Sequence, residues 1–159
     1  MRLAGIIKNS VVNGVGIRDV IFTQGCPHHC KGCHNPHTWN SKGGEEVTAK
    51  EIADQLKNSN NNVTISGGEP LEQIQEVTEL LSELHKQGKE AWLYTGYTFE
   101  NIGMGIWLIL YANGVTVVVD GTYQEDKKDL TLQFRGSSNQ RLIDLEKSLK
   151  AGHVVLWEG

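Results

Sequence analysis

All three cysteines of the 159-residue chain fall within eight residues, in the run Cys26-Pro27-His28-His29-Cys30-Lys31-Gly32-Cys33. A CxxxCxxC triplet that tight reads as the ligand set of one metal centre. Two centres fit it. A structural zinc site would take the three thiolates and one imidazole, from His28, His29, His34 or His37. A [4Fe–4S] cube normally takes four thiolates, so three would leave one iron open to bind and activate a small molecule. Structural zinc sites usually use two separated ligand pairs, and a single short loop of three sulfurs suits the cluster better.

A second constellation is Thr64-Ile65-Ser66-Gly67-Gly68-Glu69-Pro70-Leu71. Two glycines after a strand let a ligand approach backbone amides closely. The Glu69 carboxylate offers charge-assisted hydrogen bonds to a ligand ammonium. Pro70 suits the first helical position because its φ is already set. The plainer reading is an ordinary strand-to-helix turn.

The elements that must position these loops alternate in type. Val20–Thr23 is a short apolar strand ending at the cysteine loop. Thr48 followed by Glu51 is a capping-box signature for a helix with Ile52, Ala53 and Leu56 inward. Val63–Ser66 is a strand, and Leu71, Ile74, Val77, Leu80, Leu81 and Leu84 recur at helical spacing up to Gly88. Ala91–Tyr94 is a strand, and Phe99 to Ile109 is a helix weakened by Gly103 and Gly105. Val115–Val119 is a β-branched run suited to a strand buried on both faces. A short helix around Leu142, Leu145 and Leu149 and a last strand over His153–Trp157 complete the reading.

This alternation implies βαβ units and an α/β fold. There is room for about five or six parallel-type strands, too few for a closed eight-fold barrel, so the expected architecture is an open, partial β/α barrel in one domain, 1–159. The cysteine loop, Gly67-Gly68, Thr95-Gly96-Tyr97 and Asp120-Gly121 each follow a strand. In such folds these loops share one face, where sites gather.

The formal charge of −4 carries no basic excess of the kind nucleic-acid binding needs. The longest apolar stretch, Ile102–Tyr111, falls well below the ~18 residues that span a bilayer. Leu3–Ile7 is too short for a signal peptide. Clustered free thiols suit a reducing compartment. The expectation is a cytoplasmic protein with neither nucleic acid nor membrane as partner.

CxxxCxxC followed by Gly67-Gly68-Glu69 resembles the radical S-adenosylmethionine (SAM) enzymes. The resemblance implies one [4Fe–4S] cluster held by Cys26, Cys30 and Cys33, with the fourth iron chelated by the amino and carboxylate groups of SAM. It implies SAM contacts from Gly32, Cys33, His34, Ser66, Gly67, Gly68 and Glu69. It also implies one-electron cleavage of SAM to methionine and a 5′-deoxyadenosyl radical. Gly32 stands where many of these enzymes carry an aromatic that packs on adenine, which leaves adenine to the backbone around Gly32 and His34 or to an aromatic elsewhere in the chain.

Val12–Arg18, Gln24–His28, Gly32–Pro36 and Thr38-Trp39 are similar to glycyl-radical-enzyme activases. Phe134–Arg141 with Val119-Asp120-Gly121 is similar to the activators of the anaerobic (class III) ribonucleoside-triphosphate reductase. That branch implies a glycine of the large reductase subunit as hydrogen donor, and a one-electron donor such as flavodoxin or ferredoxin. Resemblance to other activases suggests a monovalent cation at Asp120, with a turn role as the alternative. Arg135, Ser137, Asn139, Gln140 and Arg141 form a polar cluster read as a contact for SAM or the partner. Other readings of the chain are an activase of the pyruvate formate-lyase type, a synthase acting on a free metabolite, and a metal-binding module without catalysis.

Overall fold

In the computed structural model, which describes Met1–Gly159, a seven-stranded sheet runs in the order β3-β1-β2-β4-β5-β6-β7. The strands are β1 (Arg2–Ser10), β2 (Arg18–Thr23), β3 (Glu45–Glu46), β4 (Asn62–Gly67), β5 (Ala91–Tyr94), β6 (Val115–Asp120) and β7 (Arg141–Asp144). Strands β2, β4, β5 and β6 are mutually parallel. Pairings β1–β2, β1–β3 and β6–β7 are antiparallel. The expectation of five or six parallel-type strands is therefore corrected: four are parallel, within an open mixed α/β sheet whose edges are β3 and β7. The pairing establishes no barrel.

Helices α1 (Ala49–Leu56), α2 (Ile74–Lys86) and α3 (Met104–Ala112) connect successive parallel strands, and α4 (Leu145–Ala151) follows β7. Each helix packs on the next, so all four cover one face of the sheet. Ile21, Ile65, Leu93 and Val118 point from the strands into that layer, against Ile52, Leu56, Leu80, Leu84, Trp107 and Leu110. Each such side chain contributes roughly 1.5–3 kcal/mol by leaving water. Alternate strand residues point the other way. There Trp92, Val117 and Val119 pack with Tyr94, Phe134, Leu142 and Trp157.

Local chemistry sets the boundaries. Thr48 caps α1 as predicted, its Oγ1 accepting from Glu51 N at 3.1 Å. Pro70 opens a 3-10 turn, Pro70–Gln73, that leads into α2. Helix α3 starts later than predicted, after Gly103, and Leu108 and Ile109 stay exposed because its apolar residues form no single stripe.

Three readings are corrected. The segment before Leu145 is strand β7, because Arg141–Asp144 finds the free edge of β6 and Asp144 then caps α4 through Lys147 N. The strand predicted over His153–Trp157 is a single bridge, Ile143 to Leu156, since the four-residue β7 offers little edge to pair with. Strand β1 was not anticipated. Its pattern is broken by irregular pairing at Leu3/Gly5 and Ile7/Ser10, which blurs the period of two.

Candidate functional site

The carboxyl ends of the four parallel strands open on one cavity of about 590 Å³, within the range of small-molecule sites. Its wall includes Cys26, Cys30, Cys33 and His34 after β2, Ser66, Gly67 and Gly68 at the end of β4, Thr95 and Gly96 after β5, and Gly121 after β6. Of the residues proposed from sequence, Gly32, Glu69, Asp120, Ser137, Asn139 and Arg141 stand off that wall.

The cysteine loop is held at its base by its own backbone. Gly25 N donates to Thr38 O at 2.6 Å and Cys26 N to Trp39 O at 3.1 Å. Gln24, nearly buried, donates through Nε2 to His37 O and Asn40 O. The sequence offered Gln24 only as part of a motif, with no sign of this stapling role.

All three thiols are free and half-buried. Burial pushes the Cys26 thiol up, with the Glu69 and Cys30 charges adding to it, against backbone N–H bonds from His28 and His29. Burial likewise raises Cys30, against an N–H bond from Tyr123. Asn35 N donates to Cys33 Sγ at 3.4 Å. N–H donors aimed at sulfur stabilise thiolate and tune an iron–sulfur centre.

The donor set therefore fits a cluster. It fits a Cys₃His zinc site less well, since two of the candidate imidazoles are engaged elsewhere, with His29 stacked on Trp39 at 4.6 Å and His28 bonded to Glu69.

Glu69 sits behind the wall, fully buried. Its carboxylate accepts from Gly96 N at 2.7 Å, Leu71 N at 3.0 Å and Thr95 Oγ1 at 2.9 Å. His28 Nε2 lies 2.6 Å away, and because a carboxylate only accepts, that nitrogen carries the hydrogen. Glu69 thus joins the cysteine loop, its own turn and the β5 loop. The role expected from sequence, pairing with a ligand ammonium, would require it to exchange these partners.

The glycines are likewise needed by the chain itself. Gly67 has φ +130, and a Cβ there would lie 2.3 Å from Thr23 N. At Gly68 a Cβ would lie 2.6 Å from Gly25 O. Close approach of the β4 end to the cysteine loop is what only glycine allows. At Gly32 a Cβ would meet the Glu125 carboxylate at 2.7 Å, so the side-chain space of that position is filled from the loop after β6. An aromatic is present nearby: Tyr123 lies 5.1 Å from His34, ring to ring.

Asp120 is nearly fully buried and bound by Arg141 through Nε at 3.0 Å and Nη2 at 2.5 Å. Phe99 N also donates to it at 2.7 Å. The Arg141 guanidinium thus supplies positive charge to this buried carboxylate from within the chain.

Comparison with known proteins supports the iron–sulfur assignment. The 4Fe-4S single cluster domain family matches residues 12–143. The chain is 34% identical over 141 residues to the anaerobic ribonucleoside-triphosphate reductase-activating protein of Escherichia coli (strain K12), covering 82% of this chain and 90% of that one. It is 40% identical over 139 residues to the protein of the same description from Enterobacteria phage T4, covering 82% and 86%. For the Vibrio cholerae protein of that description the identity is 36% over 141 residues, covering 82% and 89%.

Proposed function

This chain belongs to the family of anaerobic ribonucleoside-triphosphate reductase-activating proteins, and on that premise we propose that it installs a glycyl radical in the large subunit of that reductase by radical SAM chemistry. Cys26, Cys30 and Cys33 would hold a [4Fe–4S] cluster, which would supply, from an external donor, the one electron needed to cleave the C5′–S bond of SAM into methionine and a 5′-deoxyadenosyl radical able to take the α hydrogen of the target glycine.

The observation that carries this reading is the sharing of one cavity wall by the three cysteines and by Ser66, Gly67 and Gly68. The backbone N–H of Asn35 donates to Cys33 Sγ and steadies that sulfur. The open edge of Gly67-Gly68 gives SAM a flat backbone surface beside the cysteines, and His34 with Tyr123 offers adenine an aromatic side. Glu69 keeps the three loops in register so that ligand and cysteines stay in contact distance.

In this reading the parallel centre β2-β4-β5-β6, with helices on one face only, serves as an open β/α barrel of the radical SAM type. Its uncovered side lets the reductase insert the glycine loop and exclude water. The electron comes from a flavodoxin- or ferredoxin-like donor, and the reducing cytoplasm suits the free thiols. No helix is long and apolar enough to cross a membrane.

Anoxic protein reconstituted with iron and sulfide, then reduced in the presence of SAM, should release 5′-deoxyadenosine measurable by chromatography. Cys30→Ser should release none. Intact SAM after reduction of the wild-type cluster would end this reading.

A further inference from the structure

Arg135 is the only arginine or lysine on the cavity wall. It takes part in no ion pair within the chain. Its Nη1 donates to Gln140 O at 2.6 Å, which anchors one side of the guanidinium. Its Nε is buried and has no hydrogen-bond partner, an unusual state for a charged donor. The one carboxylate on the wall, Asp129, is turned into Thr131, accepting from its N at 2.9 Å and its Oγ1 at 2.5 Å.

The backbone before Arg135 is constrained to produce this arrangement. Phe134 has φ 63, a left-handed conformation that is an outlier for a bulky side chain. Tyr94 Oη donates to Phe134 O at 2.5 Å, and the Phe134 ring packs edge-on against Trp92 at 5.3 Å. The Gln140 side chain accepts from Gly136 N at 2.9 Å, closing the loop behind the arginine. Strain of this kind persists only where surrounding contacts impose it, and it gathers at ligand clamps. Phe134 goes into the aromatic cluster and Arg135 is left on the cavity wall.

A guanidinium anchored through Nη1 and in no ion pair matches a planar anion, which it can bind through two parallel N–H bonds. Resting on the function proposed above, we propose that Arg135 receives the carboxylate of the methionine moiety of SAM. It thereby sets which way the sulfonium faces relative to the cysteine loop. Arg135 is a ligand-binding and positioning residue here, and it moves no proton.

The test compares SAM with decarboxylated SAM by anoxic equilibrium dialysis on the cluster-loaded protein, for wild type, Arg135→Gln and Arg135→Lys. Iron content and circular dichroism verify that each variant is folded and loaded. The carboxylate also reaches the open iron in this reading, so the informative quantity is the change in preference between the two ligands. Arg135→Gln should weaken SAM on the order of 10–100-fold, the usual worth of a charged bidentate contact, and leave decarboxylated SAM nearly unchanged. Arg135→Lys, which keeps the charge and loses the fork, should fall between and remains informative if the glutamine variant does not fold.

Equal loss for both ligands, or no loss for either, overturns the assignment while leaving the proposed chemistry in place. So does a loss confined to affinity for the reductase subunit, which would assign the guanidinium to an acidic group of the partner. Failure of the wild-type protein to bind SAM at all overturns the proposed function, and this inference with it.

Discussion

Glu69→Ala removes the acceptor shared by three loops, and its consequence can be worked out from the structure. Four donors lose their partner: Gly96 N, Leu71 N, Thr95 Oγ1 and His28 Nε2. His28, whose side chain is 13% exposed, can turn to water. Of the others, Thr95 Oγ1 is buried and Gly96 N and Leu71 N are part-buried. At about 1–3 kcal/mol for each buried donor left unpaired, the loss over these three is at most roughly 3–9 kcal/mol. That is a large share of the 5–15 kcal/mol or so of a typical domain. Urea unfolding of the metal-free, reduced protein should show the lower midpoint with an unchanged slope. Glu69→Gln keeps one acceptor atom and sets its amide hydrogens against one of these donors, so it should lie between. A Glu69→Ala midpoint equal to wild type, with SAM affinity alone lost, would refute the bracing role and restore the carboxylate to direct ligand contact.

Other expectations follow from the same geometry. Gly67→Ala places a methyl against Thr23 backbone in a φ that alanine avoids, so it should destabilise the metal-free fold by several kcal/mol and reduce iron uptake on reconstitution. Arg141→Gln strips the buried Asp120 carboxylate of its countercharge and should cost about 3–5 kcal/mol by denaturant unfolding, with no recovery on exchanging sodium for potassium. Asp19 is raised by burial and lowered more strongly by hydrogen bonds from Ser59, Asn61 and Asn9 and by the Lys89 charge, so its carboxyl stays ionised below the usual range. A depressed folded-state value means stability present above the unfolded value near 4 and lost as pH falls through the folded one. Asp19→Asn should flatten the acid limb of the stability curve below about pH 4.

Much of this was legible in the residues. The cysteine spacing, the Thr48 cap and the strand ending at Tyr94 are local signals, and each stands where the sequence put it. The shared cavity at the strand ends followed from βαβ alternation alone. What escaped was set by partners far along the chain. Strand β7 exists because β6 has a free edge, and nothing in Arg141-Leu142-Ile143-Asp144 distinguishes it from the first turn of a helix. Asp120 reads as a free acid until Arg141, 21 residues on, closes over it. Glu69 reads as a ligand group in sequence, and nothing local foretells that His28, 41 residues earlier, is brought against it. Short polar motifs announce that a site exists, and the long-range pairing decides which atoms are still available to a ligand.

Electron paramagnetic resonance of the anaerobic reductase subunit, after anoxic incubation with the reduced, SAM-loaded protein, addresses the central claim most directly. A glycyl doublet that depends on SAM and on Cys26, Cys30 and Cys33 is the predicted result. A silent spectrum from protein that carries one zinc and no iron would contradict it.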